Sequence, residues 1–256
     1  MRGLVLPVGI LLVWQLAVML FHISEYKLPS PWTILTVLFD FAFNIGDLTP
    51  YSGTLLLHLA ASLRRVFSGF ALAAALGVSL GVLTGWFASV RSYLDPFIHL
   101  IRSVPGIGWL PVAIVWFGVG EVNTLFLISL AAFFPIYVNT LQGIVTIPEI
   151  QIRAARMLGA RGMVMIHSVV IPAAFLQIFT GLRVSLGIAW SYLVLGEITG
   201  VTEGLGAVMT DGRMLGHVDI VLAAMIVIAV CGKLSDFLLT ALCKKLYPPL
   251  RKKERH

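Results

Sequence analysis

Apolar residues run in six long blocks, at about residues 4–23, 66–88, 97–118, 122–145, 172–196 and 218–243, divided by shorter stretches richer in charge, Gly and Pro. Each block reaches, or nearly reaches, the roughly 20 residues an α-helix needs to cross a bilayer. The pattern therefore predicts six membrane-spanning helices with both chain ends on one side. The third block contains Pro105, Gly106, Gly108 and Pro111, which break or kink a helix. Such breaks are tolerated at membrane depth only where protein or a cavity satisfies the freed backbone groups. Between the first two blocks, Leu28-Pro29-Ser30-Pro31 opens a segment in which Thr36, Asp40 and Asn44 recur every fourth residue. This polar stripe predicts a helix in the outer interface. Leu55 to Val66, ending in Arg64 and Arg65, leads into the second span.

Composition excludes an ordinary soluble domain: 59% of the 256 residues are hydrophobic and 12% charged, against about 25% charged in soluble domains. The length accommodates one membrane domain, divided as 1–54 (first span and outer segment), 55–243 (a core of five spans) and 244–256 (a basic tail). The net charge of +6 would suit nucleic acid were it spread over a folded surface, but Lys244, Lys245, Arg251, Lys252, Lys253 and Arg255 cluster just past the last block. With Arg2, Arg91, Arg153, Arg156 and Arg161 they fall on one face, and Lys27, Arg64, Arg65 and Arg213 on the other. The first face is cytoplasmic by the positive-inside rule, which places both termini in the cytoplasm and no nucleic acid among the partners. An uncleaved first span fits residues 4–23 better than a signal peptide, because no small-residue cleavage site follows.

The stretch between the fourth and fifth blocks is patterned beyond the needs of a tether. Thr146-x-x-Glu149 has the spacing of a capping box, Pro148 suits a first turn and Gly159 a C-terminal cap, predicting a helix over 147–158. On it Ile147, Ile150, Ala154, Met157 and Leu158 gather on one face and Glu149, Arg153 and Arg156 on the other. The structural reading is an interfacial helix with a weak Glu149–Arg153 pair; the functional reading is a docking element for a cytoplasmic partner.

Here the sequence resembles a known family. Arg153-Ala154-Ala155, three residues, Gly159, nine residues, then Val169-x-Ile171-Pro172 is similar to the EAA loop of binding-protein-dependent ABC importer permeases, with Arg153 where that pattern has Glu. Arg102-Ser103-Val104-Pro105, Trp109-Leu110-Pro111, Trp116 to Glu121 and Thr180-Gly181-Leu182-Arg183 resemble the nitrate, sulfonate, taurine and bicarbonate branch. Leu6 to Ile10, Val13 to Ala17 and Phe134 to Thr140 look most like aliphatic sulfonate permeases. The resemblance implies an all-α integral membrane protein with six transmembrane helices, a MetI-like ABC permease fold and a cytoplasmic coupling helix, in the cytoplasmic (inner) membrane. It further implies a second copy of the chain, ATPase subunits on the cytoplasmic loop and an extracytoplasmic substrate-binding protein. No lysine is followed by Ser or Thr, so the P-loop signature is absent. The chain is expected to have no catalytic residue, no metal and no cofactor, with ATP and Mg bound by the partner ATPase.

The expected coupling residues are Glu149, Arg153, Ala154, Ala155, Arg156 and Gly159. Pathway candidates are Arg183, Trp190, Ser191, Tyr192, Glu197 and Asn139. A charge inside a span is a functional hypothesis by default, although an interhelical pair explains Arg183 equally well and packing explains Trp190 better. Gly77, Gly81 and Gly85 form a Gly-x3-Gly ladder that lets a helix approach closely, within the chain or at a dimer interface. The histidines are scattered without an HExxH or paired carboxylates, which argues against a membrane enzyme, and the spans hold few carboxylates for a secondary transporter. The expected cargo is a small organic anion, preferably an aliphatic sulfonate, with taurine, nitrate, bicarbonate or another small metabolite as alternatives.

Overall fold

The computed structural model describes residues 2–22 and 24–246, and among these the regular structure is entirely helical. The elements are α1 (Arg2–Leu20), α2 (Pro31–Phe43), α3 (Leu55–Trp86), α4 (Ala88–Ser103), α5 (Trp109–Phe117), α6 (Glu121–Val145), α7 (Glu149–Met157), α8 (Gly162–Met165), α9 (Ile171–Ile198), α10 (Leu205–Leu215) and α11 (Val218–Leu246). Of the predicted basic tail, residues 247–256 lie outside the described part; Lys244 and Lys245 end α11.

Four helical stretches are long and apolar enough to cross a bilayer: Leu55–Trp86, Glu121–Val145, Gly162–Ile198 and Val218–Lys245. The predicted third span is not one helix. Ala88–Ser103 and Gly106–Phe117 meet at 81°, because Pro105 and Gly106 interrupt the hydrogen-bond ladder there. The predicted first span corresponds to α1 (19 residues), in which Gly9–Leu20 is a shorter apolar helix, so against six predicted spans the described residues give four, or five with the bent pair counted as one. The stretch Gly162–Ile198, the predicted fifth span, contains a π turn, Ile166–Val170, ahead of Pro172, whose missing N–H would leave an α-helical carbonyl without a donor.

The described residues form two compact units: those up to Arg64 with Val194–Cys231, and Arg65–Leu193 with those from Gly232 onward. In the first unit, the apolar edge of α2 (Ile34, Val37, Phe41) is buried with Leu205 and Val208 of α10 and Ile220, Ala223 and Ala224 of α11. Ser30 caps α2 by accepting the Thr33 N–H at 3.1 Å, with Pro31 in the first turn. Asp40, expected on an interfacial stripe, is instead buried at 1% exposure, because the 44–53 loop folds back onto its carboxylate.

In the second unit the glycine ladder decides the packing. A Cβ on Gly69, Gly77, Gly81 or Gly85 would press into Ile128, Ile136, Thr140 or Ile144 respectively, at 2.6–2.9 Å. The same step along the chain separates every pair, so α3 and α6 run in the same direction in close contact. The ladder is an intramolecular seam rather than a dimer interface. Because both helices run one way, the bent pair α4–α5 must return the chain across the layer and serves as a fifth crossing. Gly143 and Gly181 seat α9 against α6 in the opposite sense, with Gln177 beside Gly143 and Asn139 beside Gly181. Helix α11 reverses again, with Asp236 at Arg183 and Ser235 at Trp190. The α3–α4 turn, α7 and the C-terminal end of α11 thus share one face of this unit, and the α5–α6 turn lies on the other.

Candidate functional site

Helix α7 starts two residues later than the spacing suggests. Pro148 occupies the N-cap position without a side-chain hydrogen bond, and the Thr146 hydroxyl donates backwards to the Gln142 carbonyl of α6 at 2.8 Å. The predicted capping box does not form: Thr146 serves the open C-terminus of α6, and Pro148 disfavours helical backbone at Ile147. The other end behaves as expected. Gly159 takes φ +88°, its N–H donates to Arg156 O at 3.1 Å and that of Ala160 to Ala155 O at 3.0 Å, which together make a Schellman motif.

The face assignment needs correction. Ile147, Ile152 and Ala155 pack against the buried cluster of Ile144, Met165, Val170, Ala174 and Ile178. Ile150, Met157 and Leu158, predicted for the covered face, are 71%, 84% and 89% exposed. Ala154 is exposed too. Arg153 donates to Glu149 at 2.8 Å with both side chains more than half exposed. Beside this helix a cavity of about 410 Å³ is lined by Trp86, Arg91, Ile147, Glu149, Ile152 and Arg156, among others. Its wall is fixed by Arg91, which caps the end of α3 by donating to Thr84 O (3.1 Å) and Gly85 O (2.6 Å).

The pathway candidates separate. Arg183 is gripped by Asp236 through two parallel bonds of 2.7 and 2.8 Å and lies 5.7 Å from the centre of the Phe179 ring. Trp190 is buried and donates to Ser235 Oγ at 2.9 Å, the packing role preferred from sequence. Ser191 is hydrogen-bonded to its own helix at Gly187 O, and Asn139 donates to Pro135 O at 2.8 Å. Tyr192 reaches the break between α4 and α5, where it lines a cavity of about 320 Å³ with Arg102, Gly106, Phe134 and Ile188. Asp236 was not singled out from sequence, and Arg102 entered only as part of a family-like motif, not as a site candidate. The only hint of Asp236 was a carboxylate next to Lys233 in an apolar block.

Glu197 forms a different kind of site, in the first unit. It is 1% exposed and accepts the Ser62 hydroxyl (2.8 and 3.0 Å) and the Gly206 N–H (2.8 Å). Ser62 Oγ in turn accepts the Leu205 N–H at 2.9 Å, and His58 Nδ1 the Gly204 N–H at 3.1 Å. The first N–H groups of α10 are thereby satisfied from inside the protein. Gly204, at φ +138°, admits no Cβ, which would sit 2.5 Å from the Glu197 carboxylate. In the same unit Asp40 accepts from Gly46 N (2.8 Å), Leu48 N (3.2 Å) and the Ser52 hydroxyl. Burial pushes the Asp40 carboxyl up, but these donors outweigh it and hold the group below the usual carboxylate range. Burial and the neighbouring Asp211, whose carboxylate accepts from Tyr51 at 2.8 Å, push the Tyr51 hydroxyl up to about 12. No cluster of three metal-ligating side chains occurs among the described residues.

Residues 73–246 match the family described as binding-protein-dependent transport system inner membrane component. A Bacillus subtilis (strain 168) permease protein named for aliphatic sulfonates transport is 38% identical over 96% of this chain and 86% of its own. The taurine transport system permease protein of Escherichia coli (strain K12) is 37% identical over 96% and 90%. The bicarbonate transport system permease protein of Synechococcus elongatus is 32% identical over 91% and 86%. An inward-facing structure of the MetNI methionine ABC transporter superposes with a TM-score of 0.64 at 18% identity, over 87% of this chain and 99% of that one, which establishes the shared fold.

Proposed function

The chain belongs to the binding-protein-dependent transport system inner membrane components, the multi-pass permeases of ABC importers, and from that premise we propose that it carries a small organic anion, preferably an aliphatic sulfonate. ATP is hydrolysed by separate subunits seated on α7. A binding protein delivers the cargo from the other side, a second copy completes the pore, and both termini lie in the cytoplasm. ATP and Mg belong to the ATPase, and this chain has no catalytic step.

The observation that carries the docking reading is the division of labour on α7. Ile147, Ile152 and Ala155 hold the helix to its own core, while Ile150, Met157 and Leu158 project uncovered beside Arg156. Three large apolar side chains of one short helix left bare mark a surface meant to be covered. The sulfonate reading is supported by the relative named for that cargo; those named for taurine and bicarbonate are close behind.

The test is copurification of the ATPase with a Leu158→Glu variant. A charge at a contact that becomes buried should cost the complex at least tenfold in affinity while the permease inserts normally. Full ATPase recovery with this variant refutes the docking reading.

A further inference from the structure

Three Lys or Arg residues lie within the apolar blocks: Arg102, Arg183 and Lys233. Two of them share one carboxylate, since Arg183 holds Asp236 bidentately and Lys233 approaches the same group at 4.0 Å. Arg102 has no hydrogen-bond or ion-pair partner among the described residues. Its side chain is exposed at the edge of a cavity, where an anion would meet a guanidinium that no carboxylate of the described residues has already answered.

That cavity, of about 320 Å³, lies where α4 and α5 bend apart. The volume is near the lower end of small-ligand pockets, roughly 300–1,000 Å³. Its polar groups are few: the Arg102 side chain and the Tyr192 ring with its hydroxyl, for which the described residues supply no partner. Gly106 leaves the space that the Tyr192 hydroxyl fills, which a Cβ there would overlap. The remaining wall is apolar, chiefly Leu130, Phe134 and Ile188. A delocalised cation and a phenol at an otherwise greasy wall complement a molecule with an oxyanion head and a short alkyl tail.

We infer that this cavity is a binding site within the permease for a short-chain amphiphilic oxyanion. Arg102 and Tyr192 take the head group, while Phe134, Leu130 and Ile188 take the tail. The inference rests on the anion-importer reading and moves recognition from Arg183, whose charge Asp236 already answers, to Arg102. It also assigns a chemical reason to the alkyl preference: a bare inorganic anion would leave the apolar wall empty.

The test uses the assembled permease–ATPase complex in nanodiscs without binding protein, with butanesulfonate and methanesulfonate as probes. Binding is read by saturation-transfer NMR of the ligand protons, and uptake is measured in parallel in proteoliposomes with the binding protein present. The unaltered complex should bind butanesulfonate more tightly than methanesulfonate by about tenfold or more, given up to fourfold per fully buried methylene. Arg102→Gln should weaken binding of both roughly tenfold to hundredfold, as expected for loss of a charge-assisted contact, with Arg102→Lys intermediate. Tyr192→Phe should weaken binding severalfold, and Phe134→Ala should erase the chain-length preference. If Arg102→Gln fails to assemble, Tyr192→Phe and Phe134→Ala decide the outcome by the same readouts. Butanesulfonate uptake and binding that persist unchanged in these variants overturn the site while leaving the importer reading intact. An unaltered importer that carries no sulfonate overturns both.

Discussion

The buried carboxylates of the first unit and the charged face of α7 use the same chemistry to opposite ends. Asp40 and Glu197 are almost completely enclosed, and their oxygens are occupied by backbone N–H groups and serine hydroxyls. Glu149 and Arg153 meet at similar distances but in the open. An enclosed carboxylate saturated by local donors fixes the path of a loop, since each donor would be costly to bury unpaired. An open pair fixes almost nothing and leaves both groups available to a partner. The difference teaches that charge on this chain is structural where the backbone converges on it and recruitable where it does not.

The sharpest way to break the comparison is to remove an enclosed group. Glu197→Ala deprives Ser62 and Gly206 of their acceptor and opens a void, and should destabilise the folded chain by about 3–5 kcal/mol. The measurement is the midpoint of thermal loss of monodisperse protein in detergent, and a midpoint within a degree of the parent would refute the anchoring role. Asp40→Asn should cost less, about 1–3 kcal/mol, and its effect should depend on pH. Because the folded carboxyl sits below the usual range, its contribution is complete above that range and is lost as pH falls through the folded value. Hydrogen-exchange protection at Gly46 and Leu48 should therefore differ between variant and parent at neutral pH and converge in acid.

On α7 the effects on folding shrink while those on assembly remain. Gly159→Val forces a β-branched residue to φ +88°, costing roughly 1–2 kcal/mol at the helix end. It should reduce ATPase copurification without altering insertion. Glu149→Gln should change stability by only a few tenths of a kcal/mol, within the error of a thermal scan. A large shift from this last change would mean that the pair holds structure after all.

Much of the scaffold was legible because its signals are local. Pro105 and Gly106 announced the break that became the 81° bend, and Gly159 announced the end of α7. The apolar blocks marked the crossings, although α3 begins at Leu55 and absorbs the lead-in that carries Arg64 and Arg65. What sequence could not supply were facts fixed by distant partners. The periodicity of α7 grouped Ile150 with Met157 and Leu158, yet only the surroundings determine which apolar edge is covered, and Met165 and Val170 cover the Ile152 edge. Thr146 had the spacing of a cap but was claimed by the helix before it. Asp236 lies 53 residues from Arg183, and no local pattern joins them. Asp40 read as a surface stripe because the loop that buries it carries ordinary turn residues.

The seam between α3 and α6 has a consequence for how this chain tolerates change in length. Its contacts pair residues at a fixed interval, so everything between Trp86 and Glu121 could lengthen or shorten without disturbing one of them. A single residue added inside either helix is another matter: it turns all that follows by about 100° and presents side chains where Gly77, Gly81 and Gly85 leave none. Relatives that keep the seam should therefore place their insertions in the turns at its ends, as a hinge accepts a longer pin but not a rotated leaf.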